Sequence, residues 1–200
     1  MAVDLLNARI LKLSTSLRAL PAVLRLATIT GVCAASAALP NAHAQSPEVR
    51  EYQIKAAFIY NFIKFVDWPR DALPEGSETI NICVLRDDPF ADALESIKGK
   101  TVKSRRIAVR RIEPGRELET CQVVFIGSSE GRRLARVIES LQGLNVLTVG
   151  EMDRFVELGG IINFFVQNNR VRFEINVNSA ERAGLKLSSQ LLSLAKVVRQ

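Results

Sequence analysis

Between Glu51 and Asp67 the polar residues Gln53, Asn61, Lys64 and Asp67 recur on one narrow stripe, while Phe58, Ile59, Phe62, Ile63, Phe65 and Val66 fill most of the remaining circumference. Apolar positions at this spacing predict a helix buried on most of its sides. Trp68-Pro69 ends it, because the residue before a proline is driven out of the α region, and Pro74-Glu75-Gly76 extends the break.

Beyond that loop the pattern alternates. Thr79 to Leu85 is a near-continuous apolar run and reads as a strand, Asp88-Pro89 caps a helix through Phe90, Leu94 and Ile97, and Gly99 ends it. Further strands are expected at Arg105 to Ile112, Gln122 to Ile126 and Asn145 to Val149, with a helix through Leu134, Val137, Ile138 and Leu141 closed by Gly143. Near the C-terminus Gly160 to Val166 and Arg170 to Val177 flank the polar turn Gln167-Asn168-Asn169, which predicts a hairpin. In its second strand Val171, Phe173, Ile175 and Val177 face one way, and Arg170, Arg172, Glu174 and Asn176 form an expected wet face. Ser188 caps a last helix whose apolar side carries Leu191, Leu192, Leu194, Ala195 and Val198. The fold class is therefore α/β: a single domain with a mixed, mostly parallel sheet flanked by helices, ending in a β-hairpin and a helix.

The first 44 residues obey a different pattern. Arg9, Lys12, Arg18 and Arg25 against the single Asp4 form a basic region, Leu26 to Leu39 is uncharged, and Ala42-His43-Ala44 presents small residues at a cleavage site after Pro40. This is expected to be a cleavable signal peptide, with residues 45–200 as the exported domain. The apolar run is too short to span a bilayer, which needs about 20 residues. A lipid anchor on Cys33 would follow Val32 where a small residue is expected.

Removing this segment changes the chemistry available. The formal charge falls from +6 to +3 with the loss of Arg9, Lys12, Arg18, Arg25 and Asp4, too mild to imply a polyanion partner. His43, the only histidine, leaves too. Cys83 and Cys121 remain, and an oxidising compartment favours one disulfide between them, with two buried free thiols as the alternative.

Gly127-Ser128-Ser129-Glu130-Gly131 has the G-x-S-x-G form between an expected strand and helix, but a triad serine needs a histidine base that the exported domain lacks. The loop is then an ordinary helix start or a cradle for a small anion, formed by Gly127, Ser128, Ser129 and Gly131. Metal sites are not expected, since histidine is absent and the cysteines are expected to pair. The stretch Lys98 to Arg111 holds Lys98, Lys100, Lys103, Arg105, Arg106, Arg110 and Arg111 without an acid. A charged sheet edge is the expected reading, ahead of a contact for an acidic protein or lipid surface; nucleic acid is disfavoured because no aromatic is interleaved to stack on bases. The aromatic group Phe58, Tyr60, Phe62, Phe65 and Trp68 needs cover on more than one side, from the domain itself or from a second subunit.

Lys55-Ala-Ala-Phe-Ile-Tyr-Asn-Phe-Ile-Lys-Phe-Val-Asp-Trp-Pro69 resembles the opening of the YfiR-like family of periplasmic proteins. Ile82-Cys83-Val84-Leu85 with Asp88-Pro89-Phe90, Cys121 to Ile126 with Ser129-Glu130, Leu147-Thr148-Val149, Gly159 to Phe164, and Val171 to Asn176 through Ala183 to Ser188 look like the family's blocks in the same order. The resemblance implies a regulator and not an enzyme, without a cofactor. Its best-known members repress an inner-membrane diguanylate cyclase by binding its periplasmic sensor domain, and an outer-membrane lipoprotein can sequester them. It also implies a homodimer and matches Cys83 and Cys121 to one family disulfide, while a second pair carried by some members is absent here. The expected partner or ligand region is Lys64, Asp67 and Trp68 together with Arg172 and Glu174. A small-ligand or anion sensor is the competing class.

Overall fold

Ser46 and Pro47 start the first helix earlier than the periodicity suggests: the Ser46 side chain accepts from the Val49 N–H and Pro47 occupies the first turn, where its missing N–H costs nothing. The computed structural model describes residues 46–73, 75–113, 115 and 117–199, so the expected signal peptide lies outside the described residues. Helix α1 runs Pro47–Phe65. It ends short of Trp68 because Val66–Asp67 (β1) turns into a two-residue strand antiparallel to Lys186–Leu187 (β9).

The main sheet comprises β2 (Thr79–Leu85), β3 (Thr101–Val102), β4 (Arg105–Ile112), β5 (Val123–Ile126), β6 (Leu147–Gly150), β7 (Ile162–Gln167), β8 (Arg170–Asn176) and β10 (Lys196–Val198). Their spatial order is β10-β8-β7-β6-β5-β2-β4-β3. Within this sheet, among the described residues, only β3 with β4 and β7 with β8 pair antiparallel. The β7–β8 hairpin turns on Asn168 and Asn169 at φ 51° and 57°, the left-handed pair that matches strand twist.

Helices cover both faces, which is why the central strands read as unbroken apolar runs. Ile82 and Val84 of β2 join α1, Phe125, Val149, Phe164 and Phe173 in one core, while Cys83 and Leu85 join the other with α3 (Leu134–Ser140) and Phe155. Phe62 sits 4.9 Å from Phe173 and 5.7 Å from Phe164, ring centre to ring centre. Full burial of a side chain of this size stabilises by about 2–3 kcal/mol. Cys83 and Cys121 are joined by a disulfide with Cα atoms 5.9 Å apart, tying β2 to the chain two residues ahead of β5.

Four features depart from the sequence reading. The helix after Asp88 is short, α2 (Phe90–Leu94), with turns onward to Gly99. Ser128–Arg133 is a 3-10 helix ahead of α3. An unforeseen helix α4 (Val177–Arg182) follows β8, capped by Asn176, whose side chain accepts from Ser179 N–H and donates to the Val156 carbonyl. Asn176 is thus 1% exposed, and the expected wet face of β8 is wet only at its Arg170–Arg172 end. Finally the last helix, α5 (Ser189–Leu194), is shorter than expected. Lys196–Val198 leaves it to pair in parallel with β8, as β-branched Val197 and Val198 favour, and Leu194 is left 67% exposed.

Candidate functional site: a charged crevice and an apolar groove along one helix

After β2 the chain moves to β4 on one side, then crosses β2 to continue with β5 on the other. The loops leaving β2 and β5 therefore diverge at the carboxyl edge of the sheet, where α/β sheets open a crevice. The N-terminal half of α1 lies over that edge, bringing Tyr52 within 5.5 Å of Phe90 between ring centres. Lys55 of α1 reaches Glu151, the residue after β6, with Nζ donating to Oε2 at 2.7 Å, and Glu51 one turn away at 2.5 Å. Tyr52, Lys55, Ser128, Glu151 and Phe165 line an opening of ≈ 300 Å³.

Burial governs the titration of this cluster. It drives the Glu151 carboxyl above its ordinary range, reinforced by Asp88 and Glu51 and opposed by the Lys55 hydrogen bond. Burial alone would lower Lys55, yet the hydrogen bonds to Glu151 and Glu51 outweigh it and the ammonium is held up. The phenol of Tyr52 is pushed up by burial and then by the charges of Glu151 and Asp88. The two partners pull oppositely on their shared proton, and the short contacts at both Glu51 and Glu151 identify a charged Lys55 as the state that the geometry supports.

Next to the crevice, sharing Glu51 and Val166 with it, runs a groove of ≈ 520 Å³ between α1 and the β7–β8 hairpin. Its walls include Pro47, Ile54, Phe58, Val166 and Val171. Ile54 and Val166 are 44% and 53% exposed, and Val49 on the same helix 45%. Large apolar side chains gathered this way mark an interaction surface more than a bare solvent face.

The residues expected from sequence fall elsewhere and do not converge. Lys64 is exposed, its ammonium 4.1 Å from the centre of the Tyr60 ring. Asp67 accepts from Lys103 at 2.5 Å, and Trp68 Nε1 donates to the Gln122 carbonyl at 3.2 Å. Arg172 and Glu174 alternate with Phe173, which packs on Phe58 and Phe62 of α1, so they project from the opposite face of the sheet. Glu174 there accepts from Asn163 at 3.3 Å and Lys196 at 3.2 Å. The five residues split between two faces of the sheet.

In the loop of Gly127, Ser128, Ser129 and Gly131, only Ser128 reaches the crevice. Gly127 has extended backbone, φ −75° and ψ 169°, so it is not there for a left-handed turn. A Cβ at this position would lie 1.7 Å from Oδ2 of the buried Asp88. Glu130 is 1% exposed and accepts from Arg86 Nε at 2.5 Å. Two carboxylates beside the loop are unfavourable for an anion. Sequence reasoning passed over Lys55, whose only signal was a cation on the apolar side of a helical stripe.

Among the described residues no helix is long and apolar enough to cross a membrane. The mostly parallel sheet thus carries a crevice at its carboxyl edge and an adjoining groove along α1. The profile of the YfiR/HmsC-like family matches residues 52–196, and the chain belongs to that family. Membership points to a periplasmic regulator of cyclic di-GMP signalling and away from a catalyst. A solved structure described as a conserved domain protein from Vibrio cholerae O1 biovar eltor str. N16961 aligns over 74% of this chain at 12% identity and a TM-score of 0.49. The chain spans 60% of that protein's length.

Proposed function

We propose that this protein is a periplasmic repressor that holds an inner-membrane diguanylate cyclase inactive by binding its periplasmic sensor domain. Residues 1–44 serve as the export signal, and an outer-membrane lipoprotein is the class of partner that would sequester the chain. The observation that carries the reading is the continuous surface along α1, where exposed Ile54 and Val166 border a crevice held by Lys55 and Glu151. Family membership supplies the class of partner. A homodimer is part of the proposal, supported by Leu194 and by Val197 on the outer strand β10, 67% and 42% exposed.

The test is cyclic di-GMP in the native host. Ile54→Glu, which places a charge in the groove without touching the core, is expected to raise the nucleotide to the level of a deletion strain while periplasmic abundance stays at wild type. Unchanged cyclic di-GMP with the variant present would refute the groove as the repressing surface. A second reading, a small-ligand sensor, is favoured by the position of the crevice at the carboxyl ends of β5, β6 and β7, the edge of the sheet where α/β folds bind ligands. Mass spectrometry of the gently purified protein tests it by seeking a bound small molecule.

A further inference from the structure

The basic stretch from Lys98 to Arg111 is not uniformly basic once folded. Lys98 pairs with Glu95, Lys103 with Asp67, Arg110 with Glu117, and Arg111 with Asp87 and Asp92. Each of these acids comes from outside the stretch, so the fold neutralises most of what the sequence concentrates. Arg106 is the exception of interest: its exposed guanidinium has no hydrogen bond or ion pair to any described residue.

Arg106 lines an open concavity of ≈ 500 Å³ at the end of the sheet, where the β3–β4 hairpin meets the chain entering β2. The other walls are Gly76, Ser77, Glu78, Thr101, Ser104 and Arg105. The hydroxyls of Ser77, Thr101 and Ser104 also have no protein hydrogen-bond partner among the described residues. The backbone carbonyl of Glu78 accepts from the Arg106 N–H at 2.8 Å, and its carboxylate, in the same wall, forms no ion pair with the Arg106 guanidinium. Arg105 donates to the Lys103 carbonyl at 3.3 Å, which holds the second guanidinium at the rim. Lys103 and Ser104 turn the hairpin at φ 49° and 65°, a conformation that costs non-glycine residues energy and here places Ser104 in the wall.

Planar guanidinium donors with hydroxyl-bearing residues in the same walls are a donor set suited to tetrahedral oxyanions. We propose that this concavity is a phosphate-binding site, accepting the phosphate-type oxyanion of a small solute or of an anionic lipid headgroup. The surface lies apart from the α1 groove: the two share no lining residue. It therefore stands or falls independently of the repressor reading.

The experiment uses the exported domain in two arms. Inorganic phosphate is titrated by calorimetry at low salt, and sedimentation is measured with vesicles of phosphatidylcholine alone or mixed with phosphatidylglycerol. Each arm is run for wild type, Arg106→Ala, and Arg132→Ala as an exposed arginine elsewhere. Saturable binding in either arm, weakened roughly tenfold by Arg106→Ala and unchanged by Arg132→Ala, is the expected result. The phosphate arm alone identifies a free solute, and the phosphatidylglycerol arm alone a headgroup. Absence of binding in both arms, or equal loss with Arg106→Ala and Arg132→Ala, overturns the site.

Discussion

Lys55 and Glu151, separated by 96 positions in sequence, form an ion pair at 2.7 Å with their side chains only 6% and 11% exposed. It fastens the first helix to the residue that leaves the central strand β6. A buried pair of this kind contributes little net stability against an apolar replacement, but losing one partner strands the other charge. Lys55→Met is therefore expected to destabilise by roughly 3 kcal/mol in urea melts, and Lys55→Met with Glu151→Leu to recover most of the loss. Additive losses would show that the two side chains are not coupled.

The same cluster sets a pH dependence. Lys55, Tyr52 and Glu151 are all held above their ordinary values, so each contribution is complete below the unfolded value and is lost as pH rises through the folded one. For Glu151 the window opens above 4.5, and for Tyr52 and Lys55 above 10.0 and 10.5. The wild-type Tm is expected to fall more steeply than that of Lys55→Met above about pH 10.5. Parallel curves would remove Lys55 from the explanation.

Gly127 is required by its neighbour. Any Cβ there collides with the Asp88 carboxylate, which is fixed by accepting the Phe90 N–H at 2.8 Å. Gly127→Ala should cost about 2 kcal/mol or more, with coupling to Asp88→Ala in a double-mutant cycle, because removing the carboxylate frees the space. A glycine needed only for backbone freedom would show no such coupling.

The disulfide closes a separation of 38 residues between buried cysteines. In the chain-entropy picture Cys83→Ser lowers stability by about 4 kcal/mol. Denaturation in oxidising buffer reads this directly, and an unchanged midpoint would contradict it.

The sheet was legible because its strands carry their own evidence: β2 and β4 have the ends expected for them, and Asn168-Asn169 marks the hairpin turn. What escaped depends on long-range pairing. Val66–Asp67 and Lys196–Val198 look helical next to their apolar neighbours and become strands only because β9 and β8 present free edges. Asn176 read as a solvent-facing strand residue, yet it is buried as the cap of α4. The site was less legible than the fold. Lys64, Asp67 and Trp68 stood close in sequence, and Arg172 and Glu174 shared a strand face, but nothing local reveals that the sheet lies between the two groups. Lys55 was hidden for the opposite reason, since its partner Glu151 is distant in the chain.

Site-specific photo-crosslinking in the periplasm of the native host tests the repressor reading at the level of surfaces. A crosslinker is placed at position 54 in the α1 groove or at position 172 on the opposite face of the sheet, and captured proteins are identified by mass spectrometry. Capture of an inner-membrane diguanylate cyclase from position 54 and not from position 172 is the expected result. Capture of the cyclase from position 172 alone, or from neither position, would contradict it.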